Sequence, residues 1–181
     1  MAAKNPNIDY CWRDYHGRTP PDAYSPGIDV NGLKIYVGQT FIVERPGVYP
    51  TAIRPGKPIV ASIDGPREAS NFVQILCTRH AERFKWIRTD ATKLHLIPRN
   101  YHPILAGIEE GNRLYIGRIS NQGEMIIGKI LAGHVGNALM WFAHNNSEKS
   151  ASSYEVLTYD DGDNNAAYRS SITVNIKRSG R

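Results

Sequence analysis

Apolar and polar residues alternate in short runs along most of the chain, the period-two pattern of strands that bury one face. Leu33-Lys34-Ile35-Tyr36-Val37, Leu114-Tyr115-Ile116, Met125 to Leu131, Leu139 to Ala143 and Tyr154 to Tyr159 are such runs, bounded by Gly, Asn or Ser. Asn31-Gly32, just ahead of Leu33, predicts a type I′ hairpin turn, in which both central residues take positive φ. No window of eleven or more residues carries a helical stripe. Arg79 to Ile87 comes nearest, and it is short and uncapped, so the sequence predicts a turn or a single helical turn there. Near the C-terminus, Ile172-Thr173-Val174-Asn175-Ile176 alternates cleanly and reads as an edge strand covering one sheet. The expected fold class is all-β.

The pattern occurs twice. Trp12, Pro21-Asp22-Ala23-Tyr24, Gly27-Ile28-Asp29, Leu33 to Gly38, Pro55-Gly56-Lys57 and Phe72 to Leu76 are answered in order. The second series is Trp86, Pro98-Arg99-Asn100-Tyr101, Gly107-Ile108-Glu109, Arg113 to Arg118, Ile127-Gly128-Lys129 and Tyr154 to Leu157. Gly38 to Lys57 spans 19 residues and Gly117 to Lys129 spans 12, so this alignment implies an insertion of seven, containing Arg45-Pro46-Gly47, as a lengthened hairpin turn. The expected organisation is a first repeat with an N-terminal strand over residues 1–85, a second repeat over 86–159, and an acidic turn with a C-terminal strand over 160–181. Trp12 and Trp86 occupy matching places in the two copies and are expected to anchor the core of each unit.

Composition narrows the chemistry. The 181 residues include 22 Lys+Arg and 17 Asp+Glu, a formal charge of +5 that divides evenly between the halves, which is too mild and too dispersed for a nucleic-acid face. The densest basic stretch, Arg79 to Arg99, reads as the solvated sides of strands and loops. The N-terminal segment lacks the apolar core of a signal peptide, so the expectation is a cytoplasmic protein whose two cysteines, Cys11 and Cys77, stay as thiols and whose sequon at Asn145 is silent. There is no G-x-S-x-G elbow, phosphate loop or dinucleotide fingerprint, and the six His show no ligand spacing. Asp161 to Asn165 opens like a calcium loop, but Ala166 and Ile172 occupy the sixth and twelfth positions, where Gly and Glu are needed. Glu109 and Glu110, as strand neighbours, are expected to point to opposite faces and so cannot flank one glycosidic bond. The chain is therefore expected to be no enzyme, with no metal and no cofactor.

The doubled motif set resembles the DM-nine repeat family, above all in Leu114-Tyr115-Ile116-Gly117-Arg118, Gly128-Lys129 and Tyr154-Glu155-Val156-Leu157. The first copy departs at Gln39, where the family has Arg, and over Phe72 to Leu76. The resemblance implies two tandem β repeats packed about a pseudo-twofold axis with strand exchange. It also implies a mannose-binding lectin of innate pattern recognition, in which Asp29 and Lys57 hold the sugar and Glu109 and Lys129 form a second site. A carboxylate beside an ammonium suits adjacent sugar hydroxyls, each both donor and acceptor, and the glycines beside these groups are expected to let the sugar approach. Because Glu is longer than Asp by a methylene, the second site is expected to be the weaker. The partners so implied are mannose-containing glycans, and also microbial surfaces or vesicle membranes, with a homodimer left open. The competing expectation is an intracellular, infection- or stress-responsive, vesicle-associated interaction protein in which the pockets are vestigial.

Overall fold

The computed structural model describes residues 9–69, 72–121 and 123–160. The C-terminal strand expected at Ile172 to Ile176 and the acidic turn at Asp161 lie outside the described residues. In chain order the first seven strands are β1 (Tyr10–Asp14), β2 (Gly27–Ile28), β3 (Lys34–Ile42), β4 (Gly47–Ile53), β5 (Val60–Ser62), β6 (Pro66–Glu68) and β7 (Val73–Thr78). A single 3₁₀ turn, Ala81–Arg83, then leads into β8 (Phe84–Asp90), so the most helix-like stretch of the sequence is a turn followed by a strand. The second half adds β9 (Tyr101–Pro103), β10 (Leu105–Glu109), β11 (Asn112–Asn121) and β12 (Glu124–Leu131). It ends with β13 (Met140–His144), β14 (Ser147–Ala151) and β15 (Ser153–Asp160).

The strand pairings repeat as the motifs do. In the first half β1 pairs with β7, β7 with β3, and β3 with both β2 and β4. In the second half β8 pairs with β15, β15 with β11, and β11 with both β10 and β12. Trp12 faces Leu76 across its ladder as Trp86 faces Leu157, and Gly38 faces Ile75 as Gly117 faces Val156. The fold is thus all-β, with two tandem repeats related by a pseudo-twofold. Both tryptophans are half-buried against one cluster that draws Tyr24, Ile35, Val37 and Leu76 from the part of the chain before β8 and Phe84, Ile104, Ile116, Leu157 and Tyr159 from β8 onward. Trp86 Nε1 donates to Tyr24 Oη across the repeats at 2.9 Å, and Arg118 lies over its indole at 4.4 Å.

Register corrects the motif alignment in two places. Tyr24 N donates to Leu76 O and Ile104 N to Leu157 O, so the counterpart of Tyr24 is Ile104 and not Tyr101. Gly38 faces Thr51, 13 residues on, whereas Gly117 faces Gly128, 11 residues on. The β3–β4 hairpin is therefore only two residues longer than the β11–β12 hairpin. Counting across the ladder makes Ala52 the counterpart of Lys129, because Ala52 faces Val37 and Lys129 faces Ile116. Lys57 lies in the turn beyond β4, where its N–H donates to Arg54 O.

The hairpin at Asn31-Gly32 forms, but with a different turn. Among the loop residues only Gly32 has positive φ, 77°, and the loop is closed by Gly32 N to Asp29 O and Asp29 N to Leu33 O. Asp29 explains the change: its Oδ1 accepts the N–H groups of Asn31 and Leu33, both at 2.9 Å, and this local side-chain turn outcompetes the two-residue alternative. Two-residue turns with paired positive φ occur instead at Glu110-Gly111 and at Asn145-Asn146, within the sequon.

The repeats exchange a strand. β10 of the second repeat lies between its own β11 and β4 of the first, with Ile108 facing Val48 and Glu109 facing Gly47. The approach is so close that a Cβ on Gly107 would stand 1.9 Å from Val48 O. Gly107→Ala should therefore destabilise the protein by about 3 kcal/mol or more, since backbone must move to admit the methyl. Gly111, with φ 81° and open space around it, serves as the comparison: Gly111→Ala should cost only about 1 kcal/mol, from backbone strain. Thermal unfolding followed by circular dichroism measures both.

Candidate functional site

The strand exchange creates a cleft of about 450 Å³ between the repeats. Tyr49 and the Glu44-Arg45-Pro46 turn come from the first repeat, and Glu109, Glu110, Lys129 and Trp141 from the second. Its floor is a row of side chains. Lys129 and Trp141 face each other on β12 and β13, so both emerge on one side of the sheet, and Lys129 Nζ lies 5.3 Å from the centre of the Tyr49 ring. Ile42, Ile63 and Leu114 pack beneath Tyr49.

Lys129 is only 5% exposed, and a buried ammonium needs a partner. Glu109 supplies it: Lys129 Nζ donates to Oε1 at 2.7 Å and to Oε2 at 2.9 Å. One of the three ammonium N–H groups is left without an acceptor among the described residues, and the carboxylate keeps lone pairs beyond the two it uses. Tyr49 Oη donates to Arg45 O at 3.0 Å, and its hydroxyl pKa is pushed up to about 12, first by burial and then by the charges of Glu109 and Glu110. Arg45 forms an ion pair with Asp64, and Glu148 accepts from Ser62 Oγ at 2.6 Å and Gly65 N at 3.3 Å. Trp141 Nε1 is buried in the wall with no acceptor among the described residues.

Glu110 does not follow the strand rule expected of it. It sits in the β10–β11 turn at φ 48°, and from there it lines the same cleft as Glu109. Glycine also serves differently from the expectation. Gly107 and Gly128 admit the backbones of Val48 and Trp141, and Gly27 admits the side chain of Met125, so close approach here is between strands. Among the described residues no group of three or more His, Cys, Asp or Glu is placed to hold a metal ion.

The first copy does not assemble the matching pair. Asp29 turns its carboxylate onto its own hairpin, and that backbone hydrogen bonding, led by Leu33 N–H, lowers its pKa. Lys57 is exposed, with no ion-pair partner among the described residues. The cation whose charge reaches Asp29 is Arg54, itself bound to Glu124 Oε1 and Met125 O, each at 3.2 Å. The corresponding cleft, about 320 Å³, has Ala52 and Ile126 at the places that Lys129 and Tyr49 hold in the other.

The DM9 repeat model matches residues 29–140, about three-fifths of the chain. The chain belongs to the DM9 repeat family. No curated protein matches the sequence. Among solved structures, the crystal structure of the nematode sperm cell motility protein MFP2B is similar at a TM-score of 0.53 and 13% identity. The match covers 88% of this chain and 50% of that one, so this DM9 chain spans half the length of that protein, and the likeness is one of fold.

Two outcomes follow for the DM9 pairings. Glu109→Ala should destabilise the protein by about 3 kcal/mol or more in urea unfolding, because it strands a buried ammonium, whereas the double variant Glu109→Gln, Lys129→Met should recover most of that loss. The Asp29 carboxylate contributes through a lowered folded pKa, so its share of stability is complete above the unfolded value near 4 and is lost as pH falls through the depressed one. Asp29→Asn keeps an acceptor oxygen and removes the charge. The stability difference between the two proteins should therefore shrink on acidification, as measured by urea unfolding across the acid range.

Proposed function

We propose that this DM9 protein is a carbohydrate-binding protein of the mannose-lectin type, and that it binds through the Glu109–Lys129 cleft. The observation that carries the reading is the half-used ion pair: a buried ammonium with one N–H lacking an acceptor among the described residues, beside a carboxylate with lone pairs to spare, in a cleft lined by Tyr49 and Trp141. A pair of neighbouring sugar hydroxyls both donates and accepts, so it completes this set with charge-assisted bonds. Trp141 is partly exposed in the cleft, and an aromatic face suits the C–H side of a pyranose.

The role is binding and not turnover. Glu109 and Lys129 hold each other in place and together present acceptors and a donor to a ligand. The assignment also reverses the order expected of the two sites, with the first-copy cleft left vestigial by Ala52 and by the turn that occupies Asp29. One site per chain gives weak binding, and avidity would come from arrays of the protein or of the glycan.

Calorimetry with mannose or a mannose-terminated oligosaccharide tests the proposal. Lys129→Met and Glu109→Gln should each weaken binding by about 1.5 to 3 kcal/mol, that is, by roughly ten- to a hundred-fold. Lys57→Ala should leave affinity unchanged, as should added chelator. Equal losses in Lys57→Ala and Lys129→Met, or unaltered affinity in folded Lys129→Met, would remove the cleft from consideration.

A further inference from the structure

The cleft is opposite in charge to the chain. The sequence carries +5, yet the cleft is lined by the five carboxylates of Glu44, Asp64, Glu109, Glu110 and Glu148 against the two cations Arg45 and Lys129, a local balance of −3. Two of the carboxylates are neutralised internally, Glu109 by Lys129 and Asp64 by Arg45. Glu148 is satisfied by uncharged donors. Glu44 and Glu110 stand exposed at the rim with no hydrogen-bond or ion-pair partner among the described residues. Glu110 is held there by the geometry of its two-residue turn, φ 48° followed by Gly111 at 81°. Its field reaches the floor, since it helps to push up the pKa of the Tyr49 hydroxyl.

A second feature is independent of the acidic rim. The buried Lys129 ammonium keeps one N–H with no acceptor among the described residues. A ligand hydroxyl suits that N–H, while Arg45 and Lys129 are engaged by Asp64 and Glu109 and leave the carboxylates of Glu44 and Glu110 without an ion-pair partner among the described residues. A ligand matching both levels has hydroxyls at one end and a cation at the other.

We propose that the cleft selects a hexose bearing a free amino group over the neutral sugar and disfavours anionic sugars, with the ammonium at Glu44 and Glu110 and the hydroxyls on the Glu109–Lys129 pair. This rests on the carbohydrate-binding reading above and names the ligand class of the same site. An ammonium held near unpaired carboxylates gains attraction that salt screens, and a carboxylated sugar meets repulsion at the same place. Glu44 and Glu110 are then specificity residues, separate from the pair that recognises hydroxyls.

The test is calorimetry with three probes on the full chain: mannose, mannosamine and mannuronate. At an ionic strength of about 0.01 M, mannosamine should bind about five-fold or more tightly than mannose and mannuronate more weakly than either, with the three converging near 1 M salt as the screening length shortens. In the Glu44→Gln, Glu110→Gln double variant the mannosamine-to-mannose ratio should fall to about one. Mannose binding with a ratio at or below one in the wild-type protein, or a ratio that survives in the double variant, overturns the amine preference and leaves the sugar site standing. Absence of binding by all three sugars overturns the carbohydrate reading and this inference together.

Discussion

The backbone of β10 passes so near Val48 that only a residue without a side chain fits at position 107, and the assembly of the two repeats rests on that contact. Antiparallel pairing of β10 with β4 satisfies the edge of the first repeat with a strand of the second. It also sets the site. With Glu109 opposite Gly47, the carboxylate lies beside the start of β4, where Tyr49 and the Glu44-Arg45-Pro46 turn meet Lys129 from β12. The cleft is therefore built from both repeats at their junction, and neither contains it alone.

Burying Lys129 is costly unless the whole environment agrees. The carboxylate of Glu109 neutralises it through two hydrogen bonds, and the Tyr49 ring gives it a polarisable face. The balance accounts for the first copy having no cation at the matching place. There the acidic residue forms the turn of its own hairpin, so a lysine at position 52 would find its partner already engaged, and the sequence has Ala52 instead.

A second change between the copies shows the same rule. Where the second repeat has Arg118 bonded to Glu155 at 2.7 Å, the first has Gln39 bonded to Gln74 at 2.7 Å, which in turn bonds Asp14 at 3.0 Å. Gln39 and Gln74 face each other across β3 and β7 as Arg118 and Glu155 do across β11 and β15. The departure at Gln39 is thus a matched exchange of a charged cross-strand pair for a neutral one, which keeps the ladder satisfied.

The strands, most of the hairpins and the doubling of the chain were legible in the sequence, because side-chain alternation and turn residues act over a few positions and a repeat carries them twice. Glu109 and Lys129 were legible together only through the family resemblance of the well-kept second copy, and the fold brings them into contact. Three features were decided only by the tertiary structure. The Asp29 carboxylate, read as a ligand group, satisfies two backbone N–H groups of its own loop, and this local bond shifts the turn type as well. Glu110, read as a strand residue, enters the cleft because the turn begins one position earlier than the alternation suggests. The partner of Lys129 in the first copy could not be found by counting along the chain from Gly56-Lys57. A β-sheet relates its strands by hydrogen-bond register, so a hairpin two residues longer exchanges Lys57 for Ala52, and only the folded ladder fixes that register.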